Sequence, residues 1–193
     1  GGICQVSTTL YNAVLRAELN VTERSPHSMT VHYVDLSEDA AIAGTYKDFK
    51  FVNSTEYPIY IEGYTTSDKK ITFNIYGKET RDKNRTISFE SQMVSETPAT
   101  TILQEDAGQG IGYKAVSSKG SSGYVAELYK IVKVNGVETD RIKVNKSTYK
   151  GTNRVVTYGT AGDPTLSENL RAAIAAQDEA LADANIAAAV PAQ

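Results

Sequence analysis

The chain contains no tryptophan, one cysteine and two histidines among its 193 residues. A single cysteine excludes an internal disulfide, and one cysteine with two histidines at these spacings matches no zinc-binding pattern. No glycine-rich loop precedes a helix with a lysine, which is the arrangement that cradles phosphates. The sequence therefore predicts neither a metal site nor a cofactor.

The sequence also lacks long apolar stretches and blocks of basic residues. No apolar stretch approaches the roughly 20 residues that span a bilayer. No basic block accompanies the net charge of −3, so we expect no nucleic-acid partner and no membrane contact by this fragment. The chain starts without methionine at Gly1-Gly2-Ile3-Cys4. We interpret it as the downstream part of a longer protein, with any membrane anchor upstream.

The first half of the chain predicts one helix followed by strands. Residues 3–19 carry apolar residues at helical spacing, which predicts a buried face formed by Ile3, Val6, Leu10, Ala13, Val14 and Ala17. Asn20 is suited to end this helix in the left-handed conformation. Alternating or β-rich runs then predict strands at 30–34, 47–53, 57–64, 70–76 and 85–94.

The second half contains a glycine-rich stretch with serines at residues 107–123. Proline and small residues at 97–101 predict a boundary, and the glycine-serine stretch at 117–123 predicts a flexible loop. Asn135-Gly136 lies between two β-rich runs and predicts a hairpin, since both turn residues must reach positive φ. The alanine-rich end predicts a helix from Ser167 to about residue 189, or a frayed, solvated tail.

Three blocks in the first half carry a family resemblance. The run GGICQVSTTLYNA at residues 1–13 closely resembles the signature of the VanW family, which is named from vancomycin-resistance gene clusters. ERSPHS at 23–28, with VHYV at 31–34 and DA at 39–40, resembles the family's second block. KDFKFVNST at 47–55 with YPIYI at 57–61 resembles its third. The resemblance carries no assigned activity, but it implies a bacterial, Gram-positive surface protein.

A second resemblance covers residues from about 92 to 160. GY at 123–124, YKIVKVNGVE at 129–138 and VVTYGT at 155–160 resemble the G-five domain, an all-β module of surface adhesins and cell-wall enzymes. It implies a peptidoglycan or other N-acetylglucosamine-containing polymer as partner, and an extracellular, cell-surface or cell-wall location. Tyrosines suit such a ligand because their rings can stack on sugars.

These patterns together predict an α+β protein. We expect an N-terminal helix packed on a small antiparallel sheet, then an all-β G-five-like module and an alanine-rich C-terminal helix or tail. The predicted domains are residues 1–90, as the C-terminal part of a longer VanW-like domain, then 91–161 and 162–193.

Cys4 is the residue most suggestive of chemistry. It stands at the predicted start of a helix, where unpaired N–H groups and the helix dipole stabilise a thiolate. His27 could act as its base, and Asp39, or less favourably Asp35, could orient the imidazole. The candidate catalytic residues are therefore Cys4, His27 and Asp39. The candidate binding residues are Gln5, Ser7, Tyr124 and Tyr129.

Other interpretations of Cys4 remain open. A free cysteine beside apolar residues is often a small buried hydrophobe, and a histidine in a loop is often structural. An internal thioester with Gln5 is disfavoured because neighbours in a helix point apart. We therefore favour a non-catalytic wall-binding protein, which demands less, and keep as the alternative a thiol-dependent hydrolase or acyltransferase acting on wall peptides.

Overall fold

The computed structural model describes residues 2–189, so Gly1 and the last four residues of the predicted tail lie outside the described residues. The helices are α1 (Ile3–Arg16), α2 (Pro164–Ala175) and α3 (Glu179–Ala189). The strands of the first half are β1 (Asn20–Glu23), β2 (Lys50–Val52), β3 (Tyr60–Thr65), β4 (Ile71–Tyr76) and β5 (Arg85–Thr97). Those of the second half are β6 (Thr101–Gly110), β7 (Lys114–Ser121), β8 (Gly123–Val134), β9 (Val137–Tyr149) and β10 (Thr152–Ala161).

The strands form four small sheets. Two are antiparallel pairs, β1–β2 and β3–β4, and two have three strands in the orders β5-β8-β9 and β6-β10-β7. In the last sheet β10 pairs parallel with β6 and antiparallel with β7. The predicted α+β class, with an N-terminal helix, small antiparallel sheets, a β-rich module and C-terminal helices, is confirmed.

Contacts group the described chain into two compact units that do not follow its linear order. Unit 1 comprises the described residues up to Glu96 together with Tyr124–Lys150. Unit 2 comprises Thr97–Gly123 together with the described residues from Gly151 onward. The domain boundaries suggested by the sequence, at residues 90 and 161, stay a prediction.

The buried face of α1 differs from the predicted one. Ile3 is 69% exposed and Val6 is also exposed, whereas the buried residues are Ser7, Thr8, Tyr11, Val14 and Leu15. The reason is tertiary: the hydroxyls of Ser7 and Thr8 hydrogen-bond to the carbonyl oxygen of Ala40, so a partly polar face turns inward. Asn20 does not end the helix, because Glu18 takes the left-handed conformation and Asn20 begins β1.

One strand prediction and one loop prediction are wrong, and one hairpin prediction is confirmed. Residues 30–34 form no strand, and the glycine-serine stretch at 117–123 is not a flexible loop but mostly β7. Gly120, at φ 74°, supports this pairing because a Cβ there would lie 2.7 Å from the Arg154 amide nitrogen. The hairpin between β8 and β9 is confirmed, with Asn135 and Gly136 at φ 53° and 81°.

The alanine-rich end forms two packed helices. Asp163, rather than the predicted Ser167, caps α2 by accepting from the amides of Thr165 and Leu166. Gln177, at φ 56°, separates α2 from α3. The helices contribute four buried residues, Leu170, Ala173, Ile174 and Ala182, to a cluster that also contains Leu103, Val156 and Tyr158. This burial excludes a frayed, solvated tail for the described part of the segment.

Candidate functional site

The carboxylate of Asp39 is the centre of a buried polar cluster in unit 1. Its side chain is only 1% exposed. Oδ1 accepts from Arg24 Nη2 at 2.9 Å and from the Tyr149 hydroxyl at 2.5 Å. Oδ2 lies 2.6 Å from both the backbone nitrogen and the ring Nδ1 of His27. Asp39 rather than Asp35 therefore pairs with His27.

Ionisation of Asp39 follows from these contacts. Burial raises the pKa of Asp39, but hydrogen bonds from the His27 backbone, Tyr149 and the His27 ring, with the charge of Arg24, outweigh it and leave the pKa below its usual value. An ionised carboxylate can only accept, which assigns the proton between it and His27 to Nδ1.

The His27 ring is thus oriented with its second nitrogen unused. With Nδ1 donating to Asp39, Nε2 of the neutral ring is an acceptor. The His27 side chain is 20% exposed, and no other described residue hydrogen-bonds to its ring. Its edge contacts Tyr33, with ring centroids 6.3 Å apart. This arrangement leaves Nε2 without a hydrogen-bond partner among residues 2–189.

Cys4 lies in the first turn of α1, against the segment that follows Asp39. Its Sγ is 3.5 Å from both the amide nitrogen and the carbonyl oxygen of Ile42. The thiol is half-buried, and within residues 2–189 it makes no hydrogen bond to His27.

Tyr33 lies close to both parts of the site. The pKa of Tyr33 is raised above its usual value. Burial is the largest cause, a hydrogen bond with Thr8 opposes it, and the nearby charges of Cys4 and Asp39 add to it. Its ring also contacts the His27 ring. The structure thus brings His27 and Asp39 into contact, while the Cys4 sulfur lies against Ile42, three residues after Asp39.

The predicted binding residues are scattered. Gln5 is exposed on the first turn of α1. Ser7 is buried and donates to the carbonyl oxygens of Ala40 and Cys4. Tyr124 hydrogen-bonds to Glu96, and Tyr129 to Glu127. Their ligand-binding roles stay predictions.

Sequence reasoning missed the residues that support Asp39. Arg24 donates from Nε to the Asp39 carbonyl and from Nη1 to Ser147, and it stands within the ERSPHS block, where it could have been noticed. Tyr149 also accepts from the Ser37 amide at 2.7 Å. Since Tyr149 is 110 residues from Asp39 along the chain, no local pattern indicates this contact.

A groove of about 880 Å³ opens elsewhere in unit 1. Its lining includes Arg16, Glu18, Tyr57, Phe73, Tyr76 and Arg81, but none of the predicted site residues. Glu18 pairs there with Arg85 and Arg81. The groove is therefore a feature distinct from the Asp39 cluster.

Residues 2–189 contain neither a metal-binding cluster nor a membrane-spanning helix. In that part of the chain no group of three or more histidine, cysteine or acidic side chains is arranged to hold a metal ion. None of its helices has the length and apolar character needed to cross a membrane.

Comparison with known proteins yields two family matches. Residues 1–76 match the model described as VanW like protein, and residues 89–161 match the G5 domain. Over 61 residues the chain is 48% identical to YoaR, an uncharacterized protein of Bacillus subtilis (strain 168). That match covers 32% of this chain and 20% of YoaR.

Two solved structures are similar to part of the chain. The G5 domain of IgA1 protease is 24% identical, with a TM-score of 0.32, and the match covers 44% of this chain and all of that one (100%). HP0197-G5 is 20% identical, with a TM-score of 0.25, over 39% of this chain and 97% of that one. The residues matched to the G5 domain contribute to both units.

Proposed function

We propose that this chain, a VanW-like region followed by a G5 domain, carries a thiol-dependent acyl-transfer site that acts on peptides of the bacterial cell wall. The two domains indicate a cell-wall-associated protein family. The observation that carries the proposal is the His27–Asp39 pair, with Nδ1 and Oδ2 2.6 Å apart, beside the helix start that bears the chain's single cysteine.

The proposed reaction begins with proton transfer from the Cys4 thiol to Nε2 of His27. The sulfur then attacks the acyl carbon of a substrate peptide bond, and the carbonyl electrons move to oxygen. When the C–N bond breaks, the imidazolium returns its proton to the departing amine, leaving a thioester on Cys4. Water or a second amine then attacks the thioester, which releases the acid or a new amide and restores the thiol.

Two groups support this chemistry without reacting. Asp39 is a positioning residue, because its buried carboxylate holds the His27 tautomer and stabilises the imidazolium. The oxyanion would be held by backbone amides at the start of α1, with Gln5 as a side-chain donor. Closure onto substrate would bring the sulfur within proton-transfer reach of His27, since catalytic hydrogen bonds are often long without substrate.

The first test is the rate of Cys4 alkylation by iodoacetamide as a function of pH, in folded and in denatured protein. We expect Cys4 of the folded protein to react faster at neutral pH than the same thiol in denaturant, because the proposed base takes its proton. His27→Ala should abolish this difference, while His32→Ala, which changes an exposed histidine, should not. Reaction only after unfolding, or identical profiles for wild type and His27→Ala, would refute the proposal.

A second candidate function is wall binding by the G5 domain without catalysis. The G5 match over residues 89–161 favours it, and the proposed ligand is an N-acetylglucosamine-containing polymer outside the cell. In this case Tyr124 and Tyr129 would contact the sugar. Tyr129 is already flanked by the guanidinium of Arg141, 6.0 Å from its ring centroid.

Sedimentation with purified peptidoglycan tests this candidate. We expect the protein to co-sediment at physiological salt, and Tyr124→Ala with Tyr129→Ala to reduce the bound fraction. Tyr113→Ala, at another exposed tyrosine, is the matched control. Protein that stays in solution, or a loss shared by the control, contradicts wall binding through these residues.

A further inference from the structure

The outward face of the β3–β4 hairpin is made almost entirely of tyrosine and polar side chains. The register pairs Tyr60 with Tyr76, Glu62 with Asn74, and Tyr64 with Thr72. Because side chains alternate along a strand, these six share one face. The other face carries Ile61, Phe73 and Ile75, and a Cβ on Gly63 would come within 2.5 Å of the Phe73 ring.

The tyrosines of this face are unusually exposed for their size. Tyr60, Tyr64 and Tyr76 are 65%, 46% and 52% exposed. The rings of Tyr60 and Tyr76 stack with centroids 6.1 Å apart and an interplanar angle of 30°. Large exposed aromatic groups clustered on one surface mark interaction sites more often than solvated sheet.

Polar groups lie between the rings. Oε2 of Glu62 accepts from Asn74 at 2.9 Å and from the Tyr76 hydroxyl at 3.2 Å. Its second oxygen, Oε1, accepts no hydrogen bond from the described residues. The face therefore offers flat apolar rings beside a carboxylate oxygen that can accept from a ligand hydroxyl or amide.

Asn74 and Tyr76 also line the groove of about 880 Å³, together with Phe73 and Ile75 of the opposite face, so the groove meets the hairpin along β4. In the groove Arg81 pairs with Glu79 and Arg85 with Glu18, whereas the Lys78 ammonium lies 4.1 Å from the centroid of the Tyr57 ring. None of the six residues on the hairpin face is a lysine or arginine, and Glu62 is a carboxylate. The charge of the face itself therefore disfavours an anionic ligand and fits a neutral one that donates hydrogen bonds.

We propose that this surface, named here the hairpin face and defined by Tyr60, Glu62, Tyr64, Thr72, Asn74 and Tyr76, binds a neutral amino-sugar chain. A pyranose ring presents C–H groups to an aromatic face and hydroxyl or amide donors at its rim, which matches stacked tyrosines around a carboxylate. The site lies in the VanW-like region and depends neither on Cys4 chemistry nor on the tyrosines of the G5 domain.

The test is calorimetric titration of the full chain with a soluble oligomer of N-acetylglucosamine. We expect Tyr60→Ala and Tyr76→Ala each to weaken binding roughly tenfold, which is the loss of one good aromatic contact. Glu62→Gln should also weaken binding, because it removes the carboxylate acceptor with little change of shape. Tyr46→Ala, at a tyrosine that is 77% exposed and outside the hairpin face, should bind as wild type does.

Each alternative outcome overturns the hairpin-face proposal. The first is that the wild type shows no binding in the titration. The second is that binding is lost only in the Tyr124→Ala and Tyr129→Ala variant. The third is that a polyanionic polymer of similar length binds equally well. The Cys4 alkylation profile should be the same in Tyr60→Ala and in wild type. This readout confirms that the variant is folded and separates failure of this site from failure of the thiol chemistry.

Discussion

Unit 2 and unit 1 bury different kinds of side chain. The main cluster of unit 2 is apolar, with Leu170 and Ile174 of α2 packed among Leu103, Val156 and Tyr158. Unit 1 has a smaller apolar cluster around Tyr11, Leu15, Ala40 and Leu128. Among its described residues unit 1 also buries five polar side chains, Ser7, Thr8, Ser37, Asp39 and Ser147, whereas unit 2 buries two, Thr160 and Ser167.

The difference in buried side chains sets the two units apart in how they tolerate substitution. An apolar cluster tolerates replacement by other residues of similar volume. A buried ionic network is stabilising only while every member keeps its partners, and it is often no more stable than an apolar substitute. A buried network that also orients a partly exposed histidine is therefore the better candidate for selection by function.

The largest effect should come from removing the centre of that network. Asp39→Ala leaves Arg24 buried without its carboxylate, and breaking a buried pair in this way costs about 3–5 kcal/mol. Urea unfolding should show this loss, together with faster amide exchange at residues 24–42. Asp35→Ala, at an exposed carboxylate nearby, should change stability by less than about 0.5 kcal/mol. Equal losses in both variants would contradict the special role of Asp39.

A cavity in unit 2 should have a somewhat smaller and separate effect. Leu170 is fully buried, and Leu170→Ala should cost about 2–5 kcal/mol through lost transfer free energy and the cavity. Hydrogen exchange should accelerate in the β6-β10-β7 sheet, while the pH midpoint of Cys4 alkylation stays unchanged. Leu181→Ala, at an exposed leucine of α3, is the control. A shifted Cys4 midpoint in Leu170→Ala would show that the two clusters are coupled.

The smallest effect concerns acid stability of unit 1. Hydrogen bonding to Arg85 lowers the pKa of Glu18, burial raises it, and Lys130 lowers it further, leaving it at about 2 against an ordinary 4.5. A lowered pKa means that the stabilisation is present above pH 4.5 and is lost as pH falls toward 2. Glu18→Gln should remove about 1–2 kcal/mol at neutral pH and flatten the acid transition in this window.

The control for acid stability is Glu23→Gln, which alters a solvent-exposed pair with Lys50. It should leave the acid transition unchanged, because exposed pairs contribute little. Unfolding measured at several pH values between 2 and 7 separates the two variants. If Glu18→Gln leaves the acid unfolding transition as it is in the wild type, the contacts of Glu18 with Arg85 and Lys130 are not its cause.

Features that depend on neighbouring residues could be predicted from the sequence, whereas features that depend on distant contacts could not. The candidate residues His27 and Asp39 are 12 positions apart, and their pairing followed from their residue types and from the family blocks. The glycine-serine stretch was misjudged because its composition is typical of loops, whereas pairing of β7 with β10 supplies hydrogen bonds that composition does not reveal. The apolar spacing of α1 likewise indicated a helix but not the face that is buried.

By itself the sequence determined the features whose cause lies within a few residues. Asn135-Gly136 specifies its turn through positive φ, α1 follows from helical periodicity, and the motif blocks indicate both families. Only the tertiary structure decided which partners surround Asp39, that Tyr149 closes the network, and that three tyrosines share the hairpin face. Those contacts join residues far apart in the chain or depend on strand register, and the free energy that selects them comes from burial and hydrogen bonding across elements.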